Sequence, residues 1–105
     1  SRVLAAEMAP KNVRVICIRS HAIADAPAAG SYTKEVFKTH VSYNETDQNQ
    51  TVEEWLPASP MAQGTLLKRL PTLSEIAETA AFLSSDRAGA MTGAIANLSC
   101  GAVVD

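Results

Sequence analysis

Val13-Arg14-Val15-Ile16-Cys17-Ile18 decides the fold. The run is short, β-branched and almost wholly apolar, so it reads as a strand covered on both faces, as strands of a parallel sheet are. Ahead of it, Ser1 to Ala9 reads as the end of a helix: Val3, Leu4 and Met8 share a face, and Pro10 stops it. No start signal precedes that helix, so the chain is expected to begin inside a larger pattern. Helix, short loop and buried strand together make half of a crossover unit.

Outward from this strand, Arg19 to Gly30 is a loop rich in Ala, Pro and Gly. Tyr32 to Val41 is expected to be helical, with Tyr32, Val36, Phe37 and Val41 near one face. Ser42 to Gln50 is polar and exposed. Thr51-Val52-Glu53-Glu54 has the capping-box pattern ahead of Trp55 and Leu56, and Pro57 and Pro60 limit any helix it starts. The clearest local signal is Leu70-Pro71-Thr72-Leu73-Ser74-Glu75. Thr72 is a good N-cap, with Glu75 at the third helical position. Leu73, Ile76, Ala77, Ala80 and Leu83 follow at helical spacing, which predicts a helix to about Ser84. Asp86, Ala88 and Gly89 make a turn, Ala94 to Leu98 reads as a second buried strand, and Ala102 to Asp105 as a short extended tail.

The chain has 105 residues, 47% of them apolar, with a formal net charge of -2. That size suits one small domain with a modest core, and the composition suits a globular chain. The charge offers no basic face for nucleic acid. No apolar run approaches the roughly 20 residues of a membrane span. Glu7 interrupts the apolar start, so no signal peptide is read, and a cytoplasmic setting is expected. Cys17 and Cys100 then read as free thiols in a reducing compartment. The sequons at Asn44, Asn49 and Asn97 read as chance matches in such a setting.

Three blocks carry a resemblance. They are Leu4-Ala5-Ala6-Glu7-Met8-Ala9-Pro10 with Val13-Arg14-Val15; Leu70-Pro71-Thr72 leading to Ala80-Ala81-Phe82-Leu83-Ser84-Ser85-Asp86; and Met91-Thr92-Gly93 leading to Asn97-Leu98 and Gly101-Ala102. In this order and spacing they resemble the last portion of a short-chain dehydrogenase/reductase. The resemblance implies an α/β fold: the C-terminal portion of a doubly wound parallel, Rossmann-type sheet, in the order helix, strand, helical insertion, helix, strand. Residues 1–105 would form one partial domain, with 26–63 as an insertion over the substrate. The resemblance also implies NAD or NADP in the intact parent, with hydride exchange between the nicotinamide and an alcohol or ketone.

The family's Gly-rich phosphate loop and its Ser and Tyr-x-x-x-Lys catalytic residues do not occur here. The five glycines are scattered at 30, 64, 89, 93 and 101, and Tyr32 and Tyr43 are followed four positions on by Val36 and Asp47. The chain is expected to start soon after the catalytic Lys of such a parent, to bind no cofactor alone and to be silent alone. The family's loop after the first strand approaches the nicotinamide carboxamide. Ser20, His21, Ile23 and Asp25 hold the matching positions: Ser20 and His21 replace Pro and Gly, Ile23 keeps the aliphatic position, and Asp25 stands where Thr is common. A side chain at His21 projects where the backbone would otherwise approach the cofactor. Cys100 replaces the first glycine of a usual pair. Tyr32, Val36, Phe37, Trp55, Leu56 and Met61 would line the parent's substrate pocket, or else form the core of this chain. The resemblance further implies a homo-oligomer through Thr72 to Ser84 and Ala94 to Leu98.

The remaining reactive side chains read as structural. His21 and His40 have no Cys or His at metal-ligand spacing, Cys100 has no nameable base, and Glu53 and Glu54 diverge on a helix. No triad spacing joins Ser99 or Cys100 to His21. Two functions therefore stand: a segment of an NAD(P)-dependent oxidoreductase, or a stand-alone oligomerisation or interaction module built on that fold.

Overall fold

The computed structural model of the chain describes residues 1–26, 29 and 56–103. Helix α1 spans Arg2–Met8. The apolar face expected of it is turned to solvent instead: Val3 and Leu4 are 74% and 50% exposed, and Ala5 is the buried residue. The α-helix stops ahead of Pro10, as expected, at Met8. Ala9–Lys11 continue as one 3-10 turn with Pro10 near its start, where a missing N–H costs no bond. The chain leaves at Asn12, whose φ of 58° is the left-handed conformation that Asn tolerates at a helix end.

Strand β1 is Cys17–Ser20, not Val13 to Ile18, and strand β2 is Ile95–Leu98. They pair in parallel, with Cys17 opposite Ile95 and Ser20 opposite Leu98. The partner sets the boundary. Ahead of Cys17 the chain runs beside the turn that leads into β2, where Gly93 donates to the Val15 carbonyl at 2.8 Å and Val15 donates to Thr92 Oγ1 at 3.1 Å. Arg19 and Ser20, expected in the loop, complete the ladder because their partners Asn97 and Leu98 are strand residues. The expectation of full cover on both faces is also corrected. β1 is half-buried and Ile95 is 41% exposed, because the sheet of the described residues has these two strands.

Between the strands lie helix α2, Pro60–Gln63, and helix α3, Leu73–Ser84. Pro60 opens α2 behind the Ser59 cap. The turn after α3 is a 3-10 helix over Asp86–Ala88. Arg14 holds this end of the molecule together, its guanidinium donating to the carbonyls of Ser85 at 3.1 Å and Met91 at 3.3 Å. Leu56, Ala62 and Leu70 form a buried cluster, against which Ala22, Ala24 and Met61 pack. The tail expected to extend instead turns at Gly101–Val103: Ser99 Oγ accepts from the Val103 amide at 3.2 Å, and Asn97 Nδ2 donates to the Val103 carbonyl. The helices expected over Tyr32 to Val41 and from Thr51, and the tail residues 104 and 105, lie outside the described residues.

Candidate functional site

Parallel α/β sheets bind ligands outside the carboxyl ends of their strands. Here those ends are Ser20 and Leu98, and three segments surround them: the loop 21–26, the segment 65–71 and the turn 99–103.

The segment 65–71 is built on Thr65, which is 1% exposed. Its hydroxyl donates to the carbonyl of Ala62 at 2.9 Å or Arg69 at 3.0 Å, and accepts from the Arg69 amide at 3.1 Å. This satisfies a buried hydroxyl and closes a tight loop around it. Arg69 then forks onto Glu75 at 2.7 and 2.8 Å. Glu75 also accepts from the Thr72 amide at 3.0 Å, and Thr72 Oγ1 accepts from the Glu75 amide at 3.3 Å, completing the capping box read from the sequence. The fork was not readable, since six positions across a helix start follow no periodic rule.

The hydrogen bond from Arg69, then that from the Thr72 amide, pulls the Glu75 carboxyl down from 4.5 to about 2. A depressed carboxyl stabilises the fold where it is ionised in both states, and that stabilisation fades as pH falls through the folded value. We therefore expect a stability gap between the native chain and Glu75→Gln that is full above 4.5 and closes towards about 2. Denaturant midpoints measured across that range check it; a gap that stays constant with pH would remove the role given to the charge.

Of the expected cofactor residues, Ser20 is exposed at the end of β1, while His21 and Ile23 are half-buried. His21 has no hydrogen-bond partner among the described residues. The backbone of the loop is fastened twice, by Ala24 N–H to the Pro71 carbonyl at 2.9 Å and by Ala26 N–H to the Ile23 carbonyl at 3.2 Å. Asp25 is exposed, and its Oδ1 accepts from the Leu73 amide, the first of α3, at 2.8 Å. Ile23 adds backbone polar capacity to that of Ser20, His21 and the second Asp25 oxygen. Its amide has no partner among the described residues, and its carbonyl retains a second lone pair. Of the expected substrate residues, Met61 packs against the Leu56 cluster, and Tyr32, Val36, Phe37 and Trp55 lie outside the described residues.

A groove of about 610 Å³ lies elsewhere, between α3, β2 and the segment 66–71. Leu66, Leu67 and Leu98 line it with Glu78, and none of Ser20, His21, Ile23 or Asp25 does. At its edge Cys100 has φ 54° and Gly101 φ 85°. The glycine missing at position 100 is thus a position whose backbone favours glycine, and Cys100 holds a left-handed conformation there. Among the described residues no three His, Cys, Asp or Glu side chains converge as a metal site. No helix of the described residues is long and apolar enough to cross a membrane.

No protein-family model matches the sequence, and no curated protein matches it. Solved structures match in fold. A short chain dehydrogenase family protein from Francisella tularensis is 20% identical with a TM-score of 0.71, over 96% of this chain and 37% of that one. Carveol dehydrogenase from Mycobacterium avium, solved in complex with NAD, is 21% identical with a TM-score of 0.72, over 96% and 34%. Ribose-5-phosphate isomerase from Brucella melitensis is 22% identical with a TM-score of 0.61, over 98% and 33%. At these identities the likeness establishes a fold, and the isomerase among them shows that this fold does not by itself fix a reaction. The chain spans about a third of the length of the solved chains it matches. The three sequence blocks fall on α1 and the run into β1, on α3 with its cap, and on β2 with its turn; the chain has the fold of about a third of these dehydrogenase structures.

Proposed function

We propose that the chain is the C-terminal segment of an NAD(P)-dependent short-chain oxidoreductase acting on an alcohol or ketone, and that it turns over no substrate alone. The observation that carries this reading is the loop at the end of β1, where the Ile23 amide and carbonyl present one donor and one acceptor beside the strand end. When bound, a nicotinamide cofactor supplies the hydride acceptor or donor. The part of this chain is to hold the carboxamide on Ile23, with Ser20 and His21 beside it. Oxidising an alcohol also requires a base for the hydroxyl proton. The Tyr-x-x-x-Lys pair that the resemblance assigns this task is missing from the sequence. Residues Tyr32, Val36, Phe37, Trp55 and Met61 are proposed to face the substrate in the intact parent.

A second reading, an oligomerisation or interaction module, is favoured by exposed apolar surface. Phe82 on α3 is 46% exposed, and Leu66 and Leu67 beside the groove are 70% and 60% exposed. Such surface supports self-association through Thr72 to Ser84 and Ala94 to Leu98. One sample tests both: the chain at micromolar concentration, passed over a sizing column with light scattering, then assayed with NAD(H) or NADP(H) and a panel of carbonyl compounds and alcohols. A dimer or larger species without turnover is expected. Robust turnover would overturn the first reading, and a clean monomer would count against the second.

A further inference from the structure

The first turn of a helix leaves four backbone N–H groups without intrahelical partners. In α3 the capping box takes two of them, on Thr72 and Glu75. A third, on Leu73, is taken by Asp25, 48 positions earlier in the chain. The neighbouring residue Ala24 donates to the Pro71 carbonyl at 2.9 Å. Two adjacent residues of the loop are thus bonded to the entrance of one helix, in opposite polarity. Ala22 and Ala24 pack on the Leu56 cluster below, and Ala26 is 1% exposed. The Asp25 carboxylate is thereby held at the helix entrance through its Oδ1.

From this geometry we propose that Asp25 is a positioning residue. With the Ala24 amide it latches the loop 21–26 to the first turn of α3, so that the orientation of Ile23 is set by the helix before any ligand arrives. The inference rests on the proposed role of Ile23 for its functional meaning, but the latch itself does not depend on that role. It gives Asp25 a role through the loop backbone, beside the cofactor contact expected from the sequence. It also links the Arg69–Glu75 fork to the loop, because both act on the same helical turn.

Amide hydrogen exchange on the chain without ligand tests the latch. Asp25→Ala is expected to speed exchange at Leu73 and Ala24 by about tenfold each, as loss of a charge-assisted hydrogen bond implies. The amides of Ile76 to Leu83, deep in α3, should hold their protection. Asp25→Asn, which keeps an acceptor oxygen at the same reach, should restore both sites to near the native rate. The Ala24 amide is the deciding readout. A merely local cap on α3 would change Leu73 and leave Ala24 as it was, and that result overturns the proposal, as does no change at either. Should Asp25→Ala unfold the chain, the same two amides are compared between Asp25→Asn and Asp25→Ser, whose hydroxyl falls short of Leu73; equal rates there also overturn it. Turnover by the native chain would upset the function proposed above and leave these exchange rates untouched, so the two failures are distinguishable.

Discussion

Gly101→Ala is expected to destabilise the chain by about 3 kcal/mol, seen as a lower denaturant midpoint at unchanged slope. Two independent costs meet at this residue. Its φ of 85° lies where L side chains are strained, by about 1–2 kcal/mol for the left-handed region. A Cβ there would also lie 2.6 Å from Leu66 Cβ and 2.8 Å from its Cγ. Leu66 is 70% exposed and can swing its outer atoms into solvent, but its Cβ moves only with the backbone. That backbone is tied, because the next residue, Leu67, donates to the Cys100 carbonyl at 3.0 Å. Relief therefore means parting the segment 65–71 from the turn after β2, at about 1–3 kcal/mol for an overpacked contact. The two costs can be separated. Leu66→Gly in the Gly101→Ala background should recover the overlap and leave the φ cost, whereas Leu66→Ala, which keeps its Cβ, should recover little. An Ala variant as stable as the native chain would mean that this turn does not hold the conformation described.

How much of this was legible beforehand follows from how local each signal is. The helix Leu73–Ser84 and its capping box were readable to the residue, because Thr72, Glu75 and the apolar spacing all lie within the element. β1 was readable as a strand but not in its limits. Apolar character runs from Val13 to Ile18, yet pairing runs from Cys17 to Ser20, because a ladder is bounded by its partner. The positions where the sequence departs from the resembling family divide in two. Cys100 was readable as a glycine position, and its φ of 54° bears that out. Asp25 was readable only as an altered ligand position. Its bond to Leu73 spans 48 residues and leaves no trace in periodicity or spacing. The Arg69–Glu75 fork and the role of Thr65 were hidden for another reason: their contacts are short in sequence but lie in an irregular loop and across a helix start, where no periodic rule applies. The candidate site is thus legible where residue type alone constrains the backbone, and illegible where distant segments meet or an irregular loop folds on itself.

Leu56→Ala carries the other large expected effect, a loss of about 3–4 kcal/mol, because a fully buried Leu loses both its transfer energy and the packing around it. Leu56 is 0% exposed and is the largest fully buried side chain described. It sits among Ala62 and Leu70, with Ala22, Ala24 and Met61 against it. The companions Ala22, Ala24 and Ala62 are small, and small side chains cannot move in to fill the space of a missing isobutyl group. The cluster also joins two stretches that are far apart in sequence, the loop after β1 and the segment before α3. A small domain has stability of only about 5–10 kcal/mol to lose, so a change of this size should lower the midpoint steeply. It should also free the Ala24 amide, since Ala24 is held by this cluster as well as by Pro71. Leu67→Ala is the matched control: the same atoms are removed from a residue 60% exposed, and its effect should stay within about 0.5 kcal/mol. If the two variants lost equal stability, the Leu56 cluster would not be the core that carries the loop. A wide gap between them, with Ala24 exchanging faster in Leu56→Ala alone, would place the support of the loop beneath it, in the cluster, as well as beside it at the entrance of α3.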